Sequence, residues 1–184
     1  QTGGRLNLFN ALTTTSNRPF NDAFANRPQL TGNNLSLRTN NLDATIEPGE
    51  FPHAGVAATA SLWWEWSPSV SGAVSVDTTG SGYDTVVAIY TASGVLSPAS
   101  PADLTLVASN DDDATALLAT SRLNYTAQAG VRYYIAVAGK NTIGGLTLLN
   151  IGTTAANDFF TGAQIIEGQS VTVTAQNAHG SRRR

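Results

Sequence analysis

Apolar and polar positions along this chain alternate in short runs, broken by clusters of Gly, Pro, Asn and Asp. Helical spacing of apolar residues is nearly absent. The runs, rich in β-branched and aromatic residues, predict strands at 6–10, 30–39, 60–66, 72–78, 85–91, 104–108, 121–127, 132–138, 146–151 and 170–175. Val74 and Val76, then Val87 and Ile89, alternate with period two, which buries one face of each strand. Turn signals lie between the strands: Ser67-Pro68, Thr79-Gly80-Ser81-Gly82, Asn110-Asp111-Asp112-Asp113 and Gly144-Gly145. Short strands spaced in this way predict an all-β fold, an antiparallel β-sandwich rather than a βαβ architecture.

The chain also repeats itself. Asn21-Asp22-Ala23-Phe24 returns as Asn157-Asp158-Phe159-Phe160, an offset of 136 residues. The same offset aligns Leu30 with Ile166, Gly32 with Gly168, Asn41 with Asn177 and Thr45 with Ser181. At the other end, the run from Gly3 to Asn10 is similar to the run from Gly144 to Asn150. The repeat predicts three parts. Residues 1–20 correspond to the last strand of a preceding unit, 21–152 to one whole sandwich, and 153–184 to the first strand of a following unit.

Composition narrows the function classes. Charged residues make up 12% of the chain, about half the usual ~25%. Cysteine is absent, which excludes disulfides, thiolate metal sites and a cysteine nucleophile. The net charge is −3, and three of the ten basic residues are Arg182, Arg183 and Arg184. A body this poor in clustered Lys and Arg is no nucleic-acid binder. Ser, Thr and Asn supply the polar surface, with Lys140 as the single lysine. That balance predicts a secreted, extracellular or cell-surface protein. No apolar run of membrane-spanning length occurs, so no membrane insertion is expected. Methionine is absent, and a chain starting at Gln1 is expected to be processed.

Several motifs resemble the bacterial pre-peptidase C-terminal domain family. They are Asn21-Asp22-Ala23-Phe24, Glu47-Pro48-Gly49-Glu50 with His53-Ala54-Gly55, Ser61-Leu62-Trp63-Trp64-Glu65-Trp66, and Asp77-Thr78. They continue with Tyr83-Asp84-Thr85, Ser109-Asn110-Asp111-Asp112, Ser121-Arg122 and Tyr133-Tyr134-Ile135-Ala136-Val137-Ala138-Gly139. The resemblance spans about 21–152. It implies a jelly-roll sandwich, similar to the calcium-binding, collagen-binding domains of clostridial collagenases. It also implies an accessory module of a larger secreted protein, with no catalysis of its own.

Two clusters have the oxygen chemistry of a calcium site. Asn110, Asp111 and Asp112 form the densest, although adjacent Asp residues are also ordinary turn formers. The second is Asn21, Asp22, Glu47 and Glu50. The resemblance places Asn21 and Asp22 where the collagen-binding relatives hold calcium, while a satisfied loop cap explains Glu47 and Glu50 as well. Alternation sets Leu62, Trp64 and Trp66 on one strand face, in the core, and Trp63 with Glu65 on the other. Trp63 is therefore the candidate ligand-binding residue, a platform for a sugar ring or a partner. His53 follows Pro52 in a loop and reads as a structural hydrogen-bonding residue. No G-x-S-x-G elbow occurs, and the chain is not expected to be an enzyme.

The surplus strands point to assembly. Leu6, Leu8, Val171 and Val173 lie in uncharged runs with strong strand propensity. If such a strand completes a neighbour's sheet, copies of the chain join head to tail as a homopolymer, a fibre or surface array. The alternatives are a carbohydrate- or matrix-protein-binding module and an accessory domain of a secreted hydrolase.

Overall fold

A computed structural model of the protein describes residues 18–92, 94, 97–113, 119–140 and 144–153. Among these residues nine strands form two facing sheets: β1 (Gln29–Thr31), β2 (Leu35–Asn40), β3 (Ala58–Ser67), β4 (Gly72–Asp77), β5 (Thr85–Ala92), β6 (Leu104–Asn110), β7 (Arg122–Ala127), β8 (Tyr133–Lys140) and β9 (Leu146–Thr153). Three single-turn 3-10 segments, Phe20–Asp22, Phe24–Asn26 and Pro101–Asp103, complete the regular structure of the described residues.

The five-stranded sheet has the order β1-β3-β8-β5-β6 and the four-stranded sheet the order β2-β9-β4-β7. Without β1, the remaining eight strands pair as β2 with β9, β3 with β8, β4 with β7 and β5 with β6, all antiparallel. Those nested pairs, split between two sheets, are a jelly roll. β1 departs from the antiparallel rule, pairing parallel to β3 with Leu30 opposite Trp66.

The strand expected at 30–39 is two strands in different sheets. Leu30 and Leu35 differ in parity, so one continuous strand would turn them to opposite faces. Gly32 makes the break with φ at 103°, a conformation open to glycine at little cost. The expected strands at 6–10 and 170–175, with Leu6, Leu8, Val171 and Val173, lie outside the described residues.

Between the sheets lies the main core. Leu62, Trp64 and Trp66 of β3 pack with Val87 and Ile89 of β5, Ile135 and Val137 of β8, Val74 and Val76 of β4, and Leu149 and Ile151 of β9. Burying side chains of this size contributes about 1.5–3 kcal/mol each. Strands β3, β5 and β8 are also buried on their other face. There Phe24, Trp63, Ala88, Tyr90, Leu104, Tyr134 and Ala136 form a second cluster.

A buried hydroxyl knot closes one end of the sandwich. Thr78 and Thr85 share a 2.6 Å hydrogen bond, and the Ser121 N–H donates to Thr78 Oγ1 at 2.9 Å. The Ser121 hydroxyl donates to the Thr85 carbonyl. These contacts tie the starts of β5 and β7 to the end of β4, and they account for Thr78, Thr85 and Ser121 in the motifs above.

Candidate functional site

Two polar constellations stand out, one on the outer face of the five-stranded sheet and one at its end.

The first is a cap over Trp63. Residues 20–26 and the 41–57 connection cover the face on which Trp63 lies. Phe24 meets Trp63 edge-on at 5.1 Å between ring centroids, and the His53 ring stands 5.5 Å from it. The expectation that Trp63 is exposed is therefore corrected: it is 1% exposed and offers no platform to a ligand. Edge-to-face aromatic pairs of this kind add about 0.5–1.5 kcal/mol beyond burial.

Hydrogen bonds hold the cap to the sheet. The Asn21 amide donates to the Trp63 carbonyl at 3.2 Å. Asp22 accepts from the Thr45 N–H at 2.5 Å. Glu47 accepts from the Phe24 N–H at 2.7 Å, and Glu50 from the Glu47 N–H at 2.9 Å. The other oxygen of Glu50 lies 2.8 Å from His53 Nε2, and His53 Nδ1 lies 2.5 Å from the Tyr90 hydroxyl. A relay thus runs from Phe24 through Glu47, Glu50 and His53 to Tyr90 on β5. His53 has the structural role expected of it. A tight turn aims its ring: Ala54 and Gly55 have φ of 50° and 76°, and the Val56 N–H returns to the His53 carbonyl at 2.8 Å.

The structure thus brings Asn21, Asp22, Glu47 and Glu50 to one region. Each of these carboxylates accepts a backbone N–H, the geometry of a loop cap. Burial and the nearby Glu50 carboxylate push the Tyr90 hydroxyl well above its ordinary pKa.

The second constellation joins Asp84, just before β5, with Asp111 and Asp112, just after β6. One carboxylate oxygen from each lies within 4.8 Å of the others. This is the one such group of three among the described residues. Asn110 stays apart, its side-chain oxygen accepting the Arg122 N–H at 3.1 Å. Lys140, at the end of β8, reaches into the group: its Nζ is 2.5 Å from Asp111 and 3.9 Å from Asp112. Desolvation raises the Asp84 pKa, Lys140 opposes the rise, and the two neighbouring carboxylates add to it. The Lys140 pKa is raised, chiefly by its hydrogen bond to Asp111. Asp84, Asp111 and Asp112 are the residues that could hold a divalent cation, and the Lys140 ammonium offsets one of their three charges. With one oxygen each they would supply three of the six to eight oxygens calcium takes, carbonyls and waters supplying the others. Sequence reasoning missed Asp84 and Lys140, because only the pairing of β8, β5 and β6 brings them to the Asp loop.

The outer face of the four-stranded sheet differs again. Ser36, Asn150, Asp77 and Arg122 line up across β2, β9, β4 and β7. Ser36 donates to Asn150 at 2.8 Å, and Asn150 donates to Asp77 at 3.0 Å. The row borders an open recess of about 490 Å³ that Asn34 and Thr79 also line, with no aromatic side chain in its lining.

No family model matches this chain, and no curated protein matches it. Among solved structures, the pre-peptidase C-terminal domain of collagenase from Bacillus anthracis is similar to it. That likeness has a TM-score of 0.41 and 12% identity, over 68% of this chain and 97% of that domain. It is a domain of the family that the sequence motifs resemble. No helix among the described residues is long and apolar enough to cross a membrane.

Proposed function

We propose that this chain is a non-catalytic extracellular structural module, one jelly-roll unit in a series of like units joined head to tail. The observation that carries this reading is the seating of the opening motif. Asn21, Asp22 and Phe24 each dock on the sandwich, and the same motif returns at Asn157, Asp158 and Phe160 before another alternating run. A low-charge surface of Ser, Thr and Asn supports an extracellular setting. The test uses the full chain. Replacing Asn21 and Phe24 by Ala should lower the thermal midpoint by about 10 °C or more. The same pair of changes at Asn157 and Phe160 should leave it unmoved. An equal drop from the second pair would make 157–160 part of the same unit and sink the reading.

The place of β2 favours one form of joining. Among the described residues β2 is an edge strand paired to β9 alone, and the offset of 136 sets Val171 and Val173 at the positions of Leu35 and Leu37. Strand exchange between copies would seat 171–176 on another copy's β9 in place of that copy's own β2. Removing residues 157–184 should then leave monomers in electron micrographs; filaments that persist would exclude exchange.

A further inference from the structure

The seat that β9 offers to β2 is fastened at both ends. At one end, the Asn34 side-chain oxygen accepts the Thr153 N–H at 3.2 Å. At the other, the Asn41 side-chain oxygen accepts the Gly145 N–H at 2.7 Å, and the Asn41 N–H donates to the Gly145 carbonyl at 3.1 Å. Asn41 is buried, and Gly144 makes room for it: a side chain at 144 would strike the Asn41 amide. Between the two staples, Ser36 donates to Asn150 on the outer face, while Leu35 and Leu37 pack against the core on the inner one.

These contacts set requirements over eight positions, 34 to 41. The first needs a side-chain acceptor, the second and fourth apolar groups, the third a hydroxyl and the eighth an asparagine. The offset of 136 lays the run from Ser170 to Asn177 on the run from Asn34 to Asn41. Residues 170–177 lie outside the described residues, so the match is one of residue type, and each requirement is met. Val171 and Val173 take the apolar places, Thr172 the hydroxyl place and Asn177 the place of Asn41. Valine also suits a strand better than leucine. One staple is weaker, because the Ser170 hydroxyl has a shorter reach than the Asn34 amide.

We propose that β9, with Gly144, Gly145, Asn150 and Thr153, is a seat that selects its strand by this eight-residue register, and that 170–177 of another copy is the partner it fits. Asn177 fixes the register by taking the Gly145 N–H that Asn41 holds in the described unit. The inference rests on the reading of strand exchange and adds the residues that specify the partner. The seat takes one strand at a time, and the Asn34 staple biases it toward the chain's own β2.

The test uses full-length chains, which have no cysteine of their own. A Thr172→Cys chain and an Asn150→Cys chain are unfolded, mixed, refolded together and oxidised, with circular dichroism to select the refolded material. Positions 36 and 150 face each other across the β2–β9 ladder. Ser36→Cys with Asn150→Cys in one chain therefore gives the reference yield of the link. A 172–150 disulfide between chains should form, identified by the mass of the linked peptides. Leu146→Cys in place of Asn150→Cys, four residues out of register, should give about tenfold less. Asn177→Ala, which leaves the Gly145 N–H without its acceptor, should lower the 172–150 yield about tenfold, and Ser170→Asn should raise it. Equal yields at 150 and 146, or a yield indifferent to Asn177→Ala, would overturn the register code and leave exchange standing. Absence of any link between chains would overturn exchange and this inference together.

Discussion

The cap and the loop end each gather three carboxylates, and they put them to opposite uses. In the cap, Asp22, Glu47 and Glu50 each accept a backbone N–H. Their negative charge is met by peptide dipoles and the His53 ring. At the loop end, Asp84, Asp111 and Asp112 converge with few such donors, and an ammonium, Lys140, stands among them. The outcome depends on whether amides or a cation reach the oxygens first. The cap carboxylates fasten backbone to backbone, and at the loop end Lys140 pairs with Asp111.

The largest test of that contrast is Trp63→Ala, which removes the surface the cap sits on. It should cost about 3–5 kcal/mol in chemical denaturation. A cost under 1 kcal/mol would mean that the cap does not depend on the sheet. Next comes Glu47→Ala, which leaves the Phe24 N–H unpaired and should cost about 1–3 kcal/mol. Amide exchange should quicken at 22–26 before it quickens in β3.

Third is the pH dependence. Groups with a raised pKa bind protons more tightly in the folded chain, so their contribution is full below the ordinary value and lost as pH rises through the folded one. For Tyr83, raised to about 12 by burial, for Tyr90 and for Lys140, that window opens near pH 10. Thermal midpoints should fall above pH 10, and Tyr90→Phe should flatten the fall more than Lys140→Ala. The reverse order would place the alkaline weakness at the loop end rather than in the cap. Calcium is the fourth probe. It should raise the midpoint of Lys140→Ala, whose three carboxylates lack a cation, and leave the native chain unmoved. A native shift of equal size would show that Lys140 yields its place. The smallest effect is Ala54→Gly, which relieves a left-handed residue in the His53 turn and should gain at most about 1 kcal/mol.

How much of this was legible depends on sequence distance. Alternation placed Leu62, Trp64 and Trp66 in the core and Trp63 opposite them, because period two is a local property of β3. It did not show that the opposite face is covered. The available signal was in β5 and β8, where Ala88, Tyr90, Tyr134 and Ala136 make those strands apolar on both faces, as strands covered on both sides are. The split of 30–39 was likewise readable in the parity of Leu30 and Leu35. Asp84 and Lys140 were not readable, since their meeting with Asp111 depends on strand order and register across residues far apart in the chain.

The nesting of the strand pairs has a consequence for how the protein forms. The β5–β6 hairpin joins neighbouring segments, while β2 waits for β9, with Ser36 and Asn150 114 positions apart. Closing the outer pair carries the largest loop entropy and comes last, so folding should be slow and ordered from the innermost hairpin outward. During synthesis, β2 emerges early and stays unpaired until the ribosome has delivered almost the whole unit. In a series of such units β2 of each waits in this way for its own β9, and that interval is when wrong partners can capture it.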